Sequence, residues 1–159
     1  MSSKEERAST VVALAALVAG ARTAGEPSRL LNAIPYARML GLRASIEAGE
    51  LVVCMPRSEH LVGNPVLPAL HGGTVGALLE SAAILELLWQ KDSESVPKTI
   101  TLTVDYLRSA RLQDSFARAV ITKHGRRVAN VQVRAYQDNP DKPIATANAH
   151  FLLSRSRDE

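Results

Sequence analysis

One segment constrains this chain more than any other. Residues Gly72–Gln90 carry Val75, Ala77, Leu78, Leu79, Ala82, Ala83, Ile84, Leu85, Leu87, Leu88 and Trp89 at spacings that leave almost no polar stripe. A helix apolar on all sides is buried on all sides, so a sheet must wrap it or a partner must cover it. The chain has 159 residues, enough for one domain that buries roughly two-thirds of its unfolded surface, so the wrapping sequence is available.

That sequence follows the helix. After Pro97 the period changes to two: Ile100, Leu102, Val104 and Tyr106 alternate with Thr99, Thr101, Thr103 and Asp105. The alternation predicts one strand with the first set on its apolar face and the second on its polar face. Strand-like segments recur at 113–123, 127–138 and 143–153. The turns between them, His124-Gly125 and residues 138–141, are short enough to force antiparallel pairing. Upstream, 43–46 and Glu50–Met55 flank Ala48-Gly49 as a tight hairpin, and strand character begins near residue 38. Residues 56–70 hold three prolines and Gly63 and read as a loop. The chain up to about Leu31 reads as one or two helices broken by Gly25 and Pro27. The fold class is therefore α+β, one antiparallel sheet and one dominant helix.

Glu80 stands in the middle of the apolar helix, with Gly76, Ala77, Ala83 and Ile84 one turn away on either side. A buried carboxylate costs several kcal/mol unless it is paired, hydrogen-bonded or protonated. Burial also lifts its pKa toward the range of a general base, which makes Glu80 a candidate catalytic group; a strand arginine or an exposed edge is the alternative. Glu86 reads as a solvent-facing edge. Directly before the helix, His71-Gly72-Gly73 supplies two glycines for a sharp turn and bare N–H groups at a positive helix end. Such an end suits a phosphate or the oxyanion of acyl transfer; a glycine turn chosen for close packing is the other reading.

Other chemistries lack their residues. Cys54 is the single cysteine, so no intrachain disulfide or cysteine-rich zinc site exists, and it reads as inert core. His60, His71, His124 and His150 have no ligand spacing, so no metal is expected. There is no Gly-x-Ser-x-Gly elbow and no phosphate-binding P-loop. Aromatics at 4% argue against a base-stacking nucleic-acid surface, and no uninterrupted apolar run is long enough to span a membrane. Lys4-Glu5-Glu6-Arg7 has no net positive charge, unlike a secretory leader, which predicts a cytoplasmic protein. Residues 98–134 carry eight Lys/Arg against Asp105 and Asp114, a local balance of +6 in a chain of net +3. That segment is either a solvated sheet face or a site for a polyanion.

These residues together resemble a family. Gly63-Asn64-Pro65, Leu70-His71-Gly72-Gly73, Ala77-Leu78-Leu79-Glu80, Val104-Asp105-Tyr106-Leu107-Arg108, Gly125-Arg126-Arg127-Val128 and Pro143-Ile144-Ala145-Thr146-Ala147 resemble hotdog-fold acyl-CoA thioesterases of the phenylacetic-acid-degradation type, over residues 36–153. The resemblance implies a curved antiparallel sheet around a central helix in a thioesterase domain (36–154), which leaves an N-terminal helical extension (1–35) and a polar tail (155–159) outside it. It implies homodimers, some pairing again into tetramers, that hydrolyse acyl-CoA without metal or organic cofactor. Carried over by position, Glu80 is the catalytic carboxylate and Gly72 N–H the oxyanion donor, with His71 and Asn64 orienting the groups around them. Gly73, Arg108 and Arg127 fall to substrate binding, the arginines to the CoA phosphates. Two departures stand out: position 80 is Glu where the branch commonly has Asp, and Asn64 precedes His71 by seven residues rather than six.

A length argument adds to this. Gly72 and Glu80 are eight helical steps apart, about 12 Å along the axis, so one straight helix cannot easily bring both to one carbonyl. Glu80 of one copy is thus expected to face Gly72 of another. A hotdog protein that binds acyl-CoA without cleaving it keeps the same surface and does not depend on Glu80.

Overall fold

The computed structural model describes residues 3–90 and 95–153, with side chains from residue 12 onward in those ranges. Three helices lead: α1 (Ser3–Ala24), α2 (Ser28–Asn32) and α3 (Pro35–Met39). Gly25, at φ 66°, ends α1 in the left-handed region, and Pro27 follows it. The sequence predicts strand from about residue 38, but Pro35 occupies a first-turn position and presets a helical φ, so α3 runs to Met39. β1 (Arg43–Glu47) and β2 (Glu50–Met55) then form the predicted hairpin. Its turn residues Ala48 and Gly49 both have positive φ, 50° and 83°, the sense that matches strand twist.

The stretch 56–70 is more ordered than a loop. It holds a 3-10 turn at Glu59–Leu61 and a small hairpin of β3 (Val62–Asn64) and β4 (Ala69–Leu70), strands too short to leave a period in the sequence. The apolar segment forms α4 (Gly72–Gln90) as a single helix. β5 (Lys98–Tyr106), β6 (Ser115–His124), β7 (Val128–Tyr136) and β8 (Ala145–Leu152) complete an antiparallel sheet in the order β1-β2-β6-β7-β8-β5. β5 therefore lies at one edge, paired only with β8 among the described strands.

α4 packs on the inner face of this sheet, against β6 and β7 above all. Val75, Leu78, Leu79, Leu85, Leu87 and Leu88 meet Val131, Val133 and Phe151 in one core. Val18, Ala21, Leu30 and Leu31 of the leading helices join the same core, and Arg22 donates a 2.8 Å hydrogen bond to the Leu88 carbonyl near the end of α4. By length and composition α4 would suffice to cross a bilayer, yet ten of its residues are buried within this chain. The wrapping is incomplete. Gly72, Gly76, Glu80 and Ile84, spaced one turn apart, form a half-exposed stripe on the side facing β5. The tail 155–159 lies outside the described residues.

One irregularity in β5 changes the reading of that strand. Thr99 pairs with Phe151 and Thr101 with His150, which leaves Ile100 as an unpaired extra residue, a β-bulge. Leu102, Val104 and Tyr106 pair with the buried Ala149, Ala147 and Ala145, and so face inward. The bulge brings Thr99 onto that same inner face opposite the buried Phe151, while Ile100 is 54% exposed. The simple alternation places both residues on the wrong faces, because a bulge is invisible to a period of two.

Candidate active site

The helix start is built around His71. Its backbone N–H donates to the Leu61 carbonyl at 2.8 Å, and its ring Nδ1 accepts the Gly73 N–H at 2.9 Å. Neither Gly72 nor Gly73 has a positive φ, so the pair is not there to permit a sharp turn. The reason is space. A Cβ on Gly73 would stand 2.9 Å from His71 Nδ1, and one on Gly63 would stand 2.7 Å from His71 Cα. His71 is thus wedged between two glycines.

This wedge sorts the N–H groups that open the helix, the first of which have no partner within it. Gly73 N–H is taken by the His71 ring, and Thr74 and Val75 N–H both point at the His71 carbonyl, at 2.9 and 3.3 Å. Among the described residues, nothing accepts from Gly72 N–H. It is a half-exposed donor at the positive end of a nineteen-residue helix, the geometry that receives an anionic oxygen.

Glu80 lies two turns along the same stripe and is half-exposed rather than buried. Thr99 Oγ1 donates to its Oε1 at 2.6 Å. Oε2 receives no donor from the described residues and stays open to a ligand. Thr99 is a site residue that sequence reasoning misses, because the bulge at Ile100 is what aims it inward. The desolvation expected of Glu80 falls instead on Glu86, which is 9% exposed. Six residues are one and two-thirds turns, so Glu86 points well away from the stripe, toward β2 and β6.

Burial pushes the Glu86 carboxyl above its ordinary value and Glu50 adds repulsion, partly offset by a hydrogen bond with Gln90. The folded protein therefore holds this proton more firmly than the unfolded chain does. Stability contributed by the protonated form is lost as pH rises from about 4.5 through the folded value. Glu86→Gln removes that penalty. In thermal unfolding scans the variant should melt higher than wild type at neutral pH, with the gap closing as pH falls to about 4. Parallel curves at every pH would show that Glu86 does not carry this linkage.

The other predicted residues are scattered. Asn64 Oδ1 accepts from Val66 and Leu67 N–H at 3.0 and 3.3 Å, so its carbonyl end shapes its own loop. Arg108 lines a cavity of about 420 Å³ together with Gly72, Val75, Tyr106 and Leu107, and one guanidinium nitrogen donates to the Pro143 carbonyl at 2.6 Å. Arg127 precedes Val128, which pairs with Leu152 at the far end of the sheet from Ala145 and Tyr106. A single chain does not bring Arg108 and Arg127 together. The basic segment is also less basic in space than along the chain: Arg111 pairs with Asp138, and Arg118 with Glu50 and Glu47. Burial raises the pKa of Cys54, which disfavours a reactive thiolate. Among the described residues no three His, Cys, Asp or Glu side chains gather as a metal would require.

The family model for the acyl-CoA thioesterase N-terminal domain matches residues 64–152. A solved protein from Chromobacterium violaceum is 39% identical, over 87% of this chain and 97% of that one, with a TM-score of 0.70. A phenylacetic acid degradation-related protein from Ralstonia eutropha is 28% identical, over 80% and 98%, with a TM-score of 0.67. A Bacillus halodurans protein solved with CoA shares the fold at 20% identity and a TM-score of 0.71, over 99% and 97%. No curated protein matches the chain.

Proposed function

This chain belongs to the acyl-CoA thioesterase family and has its hotdog fold, and from that premise we propose that it is a cytoplasmic enzyme hydrolysing acyl-CoA thioesters at a site completed by two copies of itself. The observation that carries the reading is the pairing of an acceptor-free Gly72 N–H with an open Glu80 oxygen on one stripe of α4. Glu80 takes a proton from water as that water attacks the thioester carbonyl. The oxyanion rests on Gly72 N–H, and its collapse expels the CoA thiolate, which receives the proton. Direct attack by Glu80, giving a mixed anhydride that water then cleaves, uses the same groups. His71 holds the neighbouring amide so that Gly72 alone points outward. Asn64 would contribute its NH₂ end, since its oxygen is occupied.

The register of β5 supports a shared site. Its inner face carries Thr99, which holds Glu80, and Tyr106, which touches Gly72. Suppose two β5 edges pair antiparallel about an axis through Thr103, so that Leu102 meets Val104 and the unpaired Ile100 is passed over. Thr99 of one copy then lies opposite Tyr106 of the second, and so Glu80 opposite the second copy's Gly72. The same operation carries Arg108 of one copy toward the Arg127 end of the other. A nine-residue edge with Ile100, Tyr106 and Leu107 more than half exposed is also the kind that soluble proteins seldom leave bare. Dimers of this kind could pair again into tetramers.

A thiol-release assay over a panel of aliphatic and aromatic acyl-CoAs tests the activity. Turnover of at least one supports it, whereas saturable binding without thiol release favours a binding protein. If Arg108 and Arg127 hold CoA phosphates, Arg108→Ala should raise KM several-fold with kcat little changed. Pantetheine thioesters should share that high KM in both proteins, and the wild-type advantage for CoA should shrink with salt. Equal KM for CoA and pantetheine thioesters would reduce the arginines to surface charge.

A further inference from the structure

Tyr106 makes contacts with the start of α4 that the chemistry proposed above does not use. Its hydroxyl donates to the Gly72 carbonyl at 2.7 Å. Its ring lies against the first turn: Cζ and Cε1 come within 3.3–3.4 Å of where a Gly72 Cβ would be, and the hydroxyl within 3.6 Å of that position on Gly76. Two glycines one turn apart thus clear a trough in which the tyrosine lies. Gly72 is the first residue of the helix, in the turn whose N–H groups lack partners within the helix and where helices fray. Tyr106 joins that frayable end to a strand that pairs with β8 along its length.

From this we propose that Tyr106 is a positioning residue for the oxyanion donor, fixing the first turn of α4 so that Gly72 N–H points in one direction before substrate arrives. The inference rests on the thioesterase reading and deepens it. Tyr106 donates to the carbonyl of Gly72 and not to the reacting atoms, so it acts through the backbone. An oxyanion donor works because it is already oriented when charge develops, and displacing it by a fraction of an ångström forfeits part of that stabilisation. The same ring walls the 420 Å³ cavity beside Gly72, so a test of positioning has to remove the hydroxyl and keep the ring.

Tyr106→Phe keeps the ring and its packing and removes the hydroxyl. In the full-length protein kcat should fall about tenfold with KM unchanged, and the melting temperature should move little. A second readout does not depend on turnover. In ¹⁵N-glycine-labelled protein, the amide resonances of Gly72, Gly73 and Gly76 should shift or broaden in the variant, while those of Gly25, Gly41 and Gly49 stay in place. An unchanged kcat, a rise in KM alone, or unmoved Gly72 and Gly73 resonances would each overturn the assignment. A fall in kcat matched by a large loss of stability would make Tyr106 merely structural and overturn it as well. Wild-type protein that releases no thiol from any acyl-CoA overturns the thioesterase reading itself. An active wild type with an equally active Tyr106→Phe variant overturns only the role of Tyr106.

Discussion

Glu80→Gln should lower kcat for acyl-CoA hydrolysis by about a hundredfold or more while leaving KM nearly unchanged. The substitution keeps the carbonyl oxygen that accepts from Thr99, so the side chain stays where it is. What disappears is the basic, negatively charged oxygen that faces outward. Stability should hold, because a half-exposed carboxylate with one hydroxyl partner contributes little that an amide cannot replace. Single-turnover hydrolysis and thermal unfolding on one preparation check both halves of the expectation. A variant that melts early yet turns over at the wild-type rate would remove Glu80 from the chemistry.

The second large effect concerns the shared site. Gly72 is the first residue of α4, the helical position at which proline is best tolerated, and its N–H serves no acceptor among the described residues. Gly72→Pro therefore deletes the proposed donor at small cost to the helix, although the Tyr106 ring must yield by a few tenths of an ångström. Its kcat should fall by about 10²–10³. Glu80→Gln and Gly72→Pro chains can then be co-expressed with different tags and the mixed dimer purified. If each site takes Glu80 from one copy and Gly72 from the other, one site in the mixed dimer has both defects and the second has neither. Activity should return to about half that of wild type. A mixed dimer as inactive as either parent would place both groups of a site in one chain.

Much of this architecture is legible in the sequence because it rests on patterns that span many residues. The all-apolar segment yields α4, the turn residues yield the antiparallel sheet, and Ala48-Gly49 yields its hairpin. Glu80 and His71-Gly72-Gly73 stand out for a similar reason: an acid in an apolar run and two consecutive glycines are improbable without cause. Their environments are harder to read. The acid inside the core is Glu86, because the half-exposed stripe is set by where the sheet ends, and that is a property of the pairing order. The two glycines make room for the His71 and Tyr106 rings, which come from residues up to 34 positions away. Thr99 is hidden for a different reason, since the face it occupies depends on one unpaired neighbour.

That neighbour, Ile100, has a consequence for comparing this chain with others by aligned position. The extra residue is accommodated by bending outward, so the paired residues on either side of it keep the faces they would have in a regular strand. A chain lacking it would run on as a regular strand, with Leu102 inward, Thr101 outward and Thr99 inward again, still against the acid. The hydroxyl's counterpart in such a chain would stand one place nearer to Leu102 along the sequence, and a column-by-column comparison anchored on the rest of β5 would set it against Ile100. An insertion that looks like a disruption of the motif is silent in space. The functional constant is the partner across the ladder, Phe151 for Thr99, and correspondence is better traced along hydrogen-bonded rows than along the chain.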